Sequence, residues 1–549
     1  MEENVEKTEA PQAENAPNTV PSAQSASSLV RHGSMLSLLT LVSRVLGLVR
    51  EMVKARFLGT TSLSDAFSVA FLLPNLFRRL FAEGSISVAF IPTFKEYLLK
   101  GDCDEAQRAA TREFLSCMFT FLTFFVTLMV MTGIITAPYL VPIFGIKEFD
   151  ETVLLTRIMF PFLGFISLAA LFQGILNSLH IFTPSGLAPI LLNIVTILFA
   201  YALSPFTQNP ARAMAFGILT GGFLEAAIQL PFVIKNGQKF FITGLKRAFN
   251  NPGTRKVLRL ISPTIIGMAA YQINDLVSTA LAGRAGEGIV SSLQYSLRLQ
   301  ELFLGVFAVS VGTVLLPNLT EYAKTFQWEI FNKRLASSIK IIALITIPVT
   351  FFSLLEGRNL ISLLFQSHSF DSHSSALTLA AFTFHMPGLL FIALNRVIAP
   401  AFYAQSNTKS PTIAGIVSFA VNIALAALLV GPFKGAGIAF ALSFASAVNT
   451  ILLIIFLGKN PDINMKSVTK NALNYIIKMI ILSAIAAVPV YFLSGLLNET
   501  FSGYTRLISN GAPLIIGAVI YIFTGLTLLA LVKDENFYGI INMIKKRAK

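Results

Sequence analysis

The chain has 549 residues, 54% of them hydrophobic and only 13% charged, with a mean hydropathy of +0.69 and a formal net charge of +14. A soluble protein of this size needs a more polar surface, so the composition excludes a water-soluble enzyme or nucleic-acid-binding domain and fits a chain whose bulk faces lipid. In that setting the positive-inside rule accounts for most of the positive charge, and no nucleic-acid partner is expected.

Residues 1–33 are expected to form a disordered cytoplasmic tail. From Met1 to Ser28 they are rich in Glu, Ala, Pro, Asn and Ser and lack apolar periodicity. No basic segment followed by an apolar one is present there, so the first membrane helix must act as the targeting signal. Apolar windows of about 20 residues then predict about 14 spans. The first six begin near Met35, Leu63, Phe114, Val153, Gly186 and Ala211, and the next six near Val257, Ile289, Leu335, Ala376, Thr412 and Gly435. A last pair begins near Leu473 and Pro513. The expected organisation is a first lobe over 34–250, a second over 251–460, an added helix pair over 461–533 and a basic cytoplasmic tail over 534–549 ending KKRAK. Trp328, the single tryptophan, is a candidate interfacial anchor. Cys103 and Cys117, the only cysteines, read as free thiols.

With both termini cytoplasmic, the cytoplasmic connections and tail carry about 25 Lys/Arg and the opposite loops about 6, the asymmetry that orients a multi-pass protein. An internal repeat appears at a shift of about 225 residues. Ile91–Tyr97 matches Leu316–Tyr322, and Pro161, Pro184 and Asn193 align with Pro387, Pro411 and Asn422 at nearly the same offset. Two lobes with an even number of spans enter the membrane in the same direction. They should be related by a pseudo-twofold axis along the membrane normal and enclose a central cavity.

Charge at membrane depth marks the candidate site. Arg44, Arg50, Arg78, Arg79, Glu83 and Arg298 lie in apolar windows, where a charge costs at least about 2.5 kcal/mol and usually marks a substrate pathway. Lys54 and Arg56 can snorkel to the interface near Gly59. Arg44, about 13 Å into its helix, cannot do so and needs water or a partner. Arg79 and Glu83, four apart, are expected to pair, leaving Arg78 to the cargo, and Glu301 stands one turn from Arg298. Guanidinium groups stay protonated and bind phosphate through paired hydrogen bonds, so the set points to an anionic, diphosphate-bearing cargo. The alternative is a set of buried ion pairs that only hold helices together. Asp275 and Asn422 are candidate cation ligands. Asp102-Cys103-Asp104 reads as a solvated loop, and His180, His368, His373 and His385 lack metal-ligand spacing, so no metal is expected. No phosphate loop or other cofactor site is seen, which leaves the membrane potential or a sodium or proton gradient to drive transport.

The runs SRVLGLVRE (Ser43–Glu51), SDAF (Ser64–Phe67), LPNLFRRLFAEGSISVAFIP (Leu73–Pro92), YSLRLQELFLGVFAVSVGTVLLPNL (Tyr295–Leu319) and APAFYAQSNTKSP (Ala399–Pro411) resemble the signature of the MurJ family, also called MviN. The resemblance covers the chain from about Ser34 onward. It implies an all-α fold of the multidrug, oligosaccharidyl-lipid and polysaccharide exporter superfamily, with two six-helix lobes and two extra C-terminal helices that form a groove for a polyprenyl tail. It implies a bacterial inner-membrane flippase, not an enzyme, acting as a monomer among membrane lipids and within reach of the cell-wall synthesis machinery. The implied cargo is lipid II, undecaprenyl diphosphate bearing the peptidoglycan precursor. By position the resemblance places substrate binding at Arg44, Arg50, Arg78 and Arg298, with Asp65, Arg79 and Glu83 in gating or cavity shape. Two departures stand out: in Tyr295-Ser296-Leu297-Arg298-Leu299, where the family often has YADRL, the Asp directly before the arginine is missing, and Ser278 and Ala426 replace acids of a sodium-binding set. The rivals are another lipid-linked-sugar or drug exporter of the superfamily, a membrane enzyme acting on polyprenyl phosphates, and a scaffold for cell-wall enzymes.

Overall fold

The computed structural model describes residues 23–80, 89–101 and 104–548, and among these all regular structure is helical. The first half comprises α1 (Ala23–Leu58), α2 (Ser62–Arg78), α3 (Ile91–Gly101), α4 (Glu105–Leu140), α5 (Phe149–Met159), α6 (Phe162–Ser178), α7 (Thr183–Ala202) and α8 (Pro210–Lys235). A short α9 (Leu245–Asn250) leads into α10 (Pro252–Ala285), α11 (Ile289–Lys324), α12 (Trp328–Phe365), α13 (Ser372–His385), α14 (Gly388–Ala404) and α15 (Lys409–Leu457). Two further spans, α16 (Met465–Phe501) and α17 (Arg506–Leu531), and the terminal α18 (Glu535–Ala548) complete the chain.

Several expectations need correction. The tail predicted over 1–33 is helical over its described part, 23–33, which belongs to α1. Among the described residues eight helices are long and apolar enough to cross a membrane, nine if the bent pair α13–α14 is one span. The expectation of about 14 adds α1, α2, α10 and α11 and takes α15 as two. α15 is indeed interrupted at Lys434, where φ is +48° and ψ −127°. Pro432 removes a ladder hydrogen bond there, and Gly437 closes onto the Leu429 backbone. Glu83, Asp102 and Cys103 lie outside the described residues.

The repeat shows as a shared defect. The ladder ends at Phe160, whose N–H reaches Thr156 O at 2.8 Å, and Pro161 starts α6. In the second half it ends at Met386, whose N–H reaches Phe382 O at 3.0 Å, and Pro387 starts α14 with a bend of 46°. The aligned prolines thus break corresponding spans, since neither can donate a backbone hydrogen bond. α7 and α8 pair as an antiparallel hairpin that also contacts α1 and α6, while α10, α11, α13 and α14 gather around α15. α16 and α17 pack together on the outer side of α12. Their exposed faces are apolar, with Ile477, Ile481, Ile485, Val488 and Phe492 on α16 and Ile515, Val519, Ile522 and Phe523 on α17. Asp534 ties α18 back to the bundle by accepting from Lys478 Nζ at 2.7 Å, from Tyr475 at 3.1 Å and from the Phe537 N–H at 3.0 Å.

Candidate functional site: an arginine-lined chamber

Between the halves lies a chamber of about 700 Å³. Arg44 and Arg50 reach it from α1, Arg78 and Arg79 from the end of α2, Arg298 from α11 and Arg396 from α14. Among the described residues six guanidinium groups therefore share one volume with two carboxylates, Glu225 and Glu301. The α1–α11 crossing has a reciprocal fit: a side chain added at Gly305 would occupy the place of the Arg44 guanidinium, and one at Gly47 that of Arg298. Both arginines thus lie flat on the opposing helix and point into the chamber.

The local pairings differ from those expected. Arg79 meets Asp275 of α10 at 3.5 Å, across the two halves, and its expected pairing with Glu83 falls outside the described residues. Arg78 donates from Nε to Asn75 Oδ1 at 2.7 Å. Arg50 pairs with its neighbour Glu51 at 2.9 Å and lies 5.9 Å from the Phe71 ring centroid. Arg298 meets Glu301 at 3.3 Å. Lys54 does not snorkel: it is 3% exposed and donates to Ser68 Oγ at 2.6 Å and Gln294 Oε1 at 3.0 Å, because α2 and α11 cover its helix on that side. Arg56 does reach the surface, over the Tyr201 ring.

Asp65 is not in the chamber wall. It is 2% exposed and accepts from the Gly288 N–H at 2.7 Å and the Ser291 N–H at 2.8 Å, so it caps the N-terminus of α11 from the other half. Around it the halves are clasped. Tyr295 donates to Gly59 O at 3.0 Å, Thr60 Oγ1 to Ser374 Oγ at 2.8 Å, and the Ser62 N–H to Glu287 Oε1 at 3.1 Å. Gly59 and Gly288 have φ of +58° and +77° and lie against the backbones of Ser369 and Thr60, so each serves both a left-handed turn and a close approach. In this solvent-facing loop the Lys147 ammonium and the Ser62 N–H hold the Glu287 carboxyl below its ordinary range. The chamber is closed at this end.

Asp275 and Asn422 have different partners. Asp275 faces Arg79, whereas Asn422 Nδ2 donates to Asn274 Oδ1 at 2.8 Å and Ser278 Oγ at 3.1 Å. Among the described residues no group of three His, Cys, Asp or Glu side chains could hold a metal ion. Sequence reasoning missed Arg396, Glu225, Ser185 and Gln229 in the chamber wall. Arg396 and Glu225 carried the signal used for Arg44, a charge inside the apolar runs LFIALNRVIAPAF and GILTGGFLEAAIQLPF; the two neutral residues carried none. A further deep acid of the second half is Glu356 on α12, which is 1% exposed.

Two helical halves around a polar, cationic chamber, sealed at one end by their own contacts, define a multi-pass membrane transporter. The family model "Lipid II flippase MurJ" matches residues 54–509. The chain therefore belongs to the MurJ family. A "Probable lipid II flippase MurJ" from Treponema pallidum (strain Nichols) is 45% identical over 523 residues, covering 95% of this chain and 99% of the relative. Among solved structures, "Lipid II flippase MurJ, inward closed conformation" aligns with a TM-score of 0.73 at 24% identity over 90% of this chain and 99% of that one. An inward-facing multidrug resistance MATE family transporter of the MOP superfamily aligns at 0.65 and 16% identity, over 78% of this chain and 96% of that one. These likenesses fix the fold as that of the two-lobed exporters.

Proposed function

We propose that this chain is a lipid II flippase of the bacterial cytoplasmic membrane. It moves undecaprenyl-diphosphate-linked peptidoglycan precursor from the inner to the outer leaflet for cell-wall synthesis. The observation that carries the reading is the convergence of six arginines on one chamber between the halves. A doubly anionic headgroup is what such a set attracts, and Arg44, Arg50, Arg78 and Arg298 are the groups assigned to the diphosphate. Arg79, held by Asp275, shapes the wall between the halves.

In this reading both termini are cytoplasmic, the clasp at Gly59, Asp65 and Gly288 is the outer gate, and the chamber admits the headgroup from inside. Residues 34–250 and 251–460 rock against each other, while α16 and α17 offer an apolar face to the polyprenyl tail. The chain acts as a transporter without a hydrolytic step, as a monomer, and delivers its cargo to the cell-wall synthesis machinery. Asp275 already has a guanidinium partner, so the membrane potential acting on the charged chamber is the favoured driving force.

The test replaces Arg44, Arg50 and Arg298 by Ala, singly and together, in cells depleted of their own flippase. Growth should fail and lipid II should accumulate on the inner leaflet, with the protein still present and folded. Full growth of the triple variant would remove this mechanism. Accumulation of a different lipid-linked sugar on depletion would instead assign the chain to another exporter of the superfamily.

A further inference from the structure

The connection from α8 to α10 carries large apolar side chains on its surface. Phe241 and Ile242 are 65% and 79% exposed, and Leu245 and Phe249 of α9 are exposed beside them. The segment is nevertheless fixed. The Phe241 N–H donates to Ser116 Oγ at 3.0 Å and the Thr243 N–H to Thr120 Oγ1 at 2.9 Å, so successive turns of α4 hold its backbone. The Phe240 ring turns inward onto Phe119 and Phe172, with centroids 4.6 and 5.8 Å away. Phe249 meets Phe121 edge-on at 5.1 Å, and Arg247 pairs with Glu113 at 2.7 Å. The strap is thus pinned along its length to the side of α4, and the pinning itself turns the remaining apolar side chains outward.

Its level on α4 indicates what covers them. α4 is long and apolar enough to span a membrane, and its exposed apolar stripe of Phe124, Leu128, Met131 and Ile135 begins one turn beyond Thr120, a rise of about 6 Å. An apolar face at that distance from a lipid-facing stripe lies at the boundary between headgroups and acyl chains, where interfacial segments bury their apolar side. Continuity with that stripe makes the bilayer, and not a protein partner, the occupant. Charge then names the headgroup. Residues 235–259 hold seven Lys/Arg and no acid. Arg247 and Lys256 are paired, with Glu113 and Glu96. Lys235, Lys239, Lys246, Arg255 and Arg259 are exposed and meet no acid among the described residues. A basic cluster beside a span attracts anionic lipid, each cation near the surface contributing about fivefold in local preference.

We infer that the strap over 236–250 is an anionic-phospholipid site on the outside of the first half. Phe241, Ile242, Leu245 and Phe249 enter the leaflet, and Lys239 and Lys246 beside them take the lipid phosphates. In the orientation proposed above this is the inner leaflet. The lipid held here is a membrane constituent, separate from any cargo in the chamber, so the inference goes beyond the flippase reading and does not depend on it.

The single tryptophan of the chain makes the test direct. Full-length protein carrying Trp328→Phe and Ile242→Trp is placed in nanodiscs of equal parts phosphatidylcholine and phosphatidylglycerol. One lipid or the other is brominated on its acyl chains, so that it quenches a tryptophan in contact with it. The same protein with Lys239→Gln and Lys246→Gln is measured beside it; both lysines are exposed and meet no acid among the described residues, so folding is not at stake. Both faces of a nanodisc carry the same lipids, so the result holds whichever way the chain is oriented. Brominated phosphatidylglycerol should quench the introduced tryptophan about fivefold or more strongly than brominated phosphatidylcholine, and the ratio should drop to about twofold or less when both lysines are replaced. Quenching by neither lipid would leave the strap in water or under a protein, and equal quenching by both with the lysines intact would make it a surface without headgroup selection. Either result overturns the site. A preference for phosphatidylglycerol that survives replacement of both lysines overturns their assignment to the phosphates.

Discussion

Arg44 and Arg298 owe their positions to glycines on the opposing helix. At Gly47 and Gly305 the α1–α11 crossing leaves room for a guanidinium and for nothing more. Gly305→Ala should therefore displace the flexible end of Arg44 and leave the helices in place. The expected result is a change in stability of less than about 1 kcal/mol with flipping slowed about tenfold or more, since small misplacement of a binding group is costly. Thermal melting and a leaflet-resolved lipid II assay on the same preparation check both halves of that statement, and a variant that flips at the normal rate would show that Arg44 need not lie there. At this scale the sequence was half readable. The charges themselves are visible in an apolar window, so the chamber positions of Arg44, Arg50, Arg78 and Arg298 could be anticipated. Their partners could not: Arg79 meets Asp275, and Lys54 meets Gln294, across separations that only the tertiary register determines. The neutral Ser185 and Gln229 leave no trace in composition at all.

At the level of helices, the joint between α2 and α11 matters most. Asp65 offers both carboxylate oxygens to the first turn of α11, where the backbone N–H groups have no partner within the helix and the helix dipole favours negative charge. Removing it leaves buried N–H groups unsatisfied in a contact between halves. Asp65→Ala should cost about 1 to 3 kcal/mol and loosen the sealed end. Thiol labelling of a cysteine placed at Thr60 reports this directly: labelling should be faster in the Asp65→Ala background than with Asp65 intact. Equal rates in the two would mean that the cap does not hold the end shut. The sequence showed Asp65 as an acid near the start of a span but gave no hint that it caps a helix more than two hundred residues away. Helix breaks coincide with prolines, at Pro161, Pro387 and Pro432.

Across the whole molecule, the duplicated halves were readable because each repeats the same prolines at nearly the same offset. α1, α2, α11 and α14 together carry the arginines of the chamber. The clasp follows from the same arrangement. With the arginines repelling one another across the chamber, the halves need an uncharged or internally compensated contact to stay together, and they have one in the hydroxyl, carbonyl and capped-helix bonds around Gly59 and Gly288. If transport works by rocking, this contact must break once per cycle. Thr60 and Ser374 place their hydroxyl oxygens 2.8 Å apart, close enough for cysteines at both positions to be oxidised to a disulfide. In a background with Cys103 and Cys117 changed to Ser, oxidised Thr60→Cys/Ser374→Cys protein should bind lipid II but fail to deliver it to the outer leaflet, and reduction should restore delivery. Undiminished flipping by the cross-linked protein would mean that the cargo crosses without separation of this end, and the two-lobed rocking cycle would have to be abandoned for a path along the outside of the bundle.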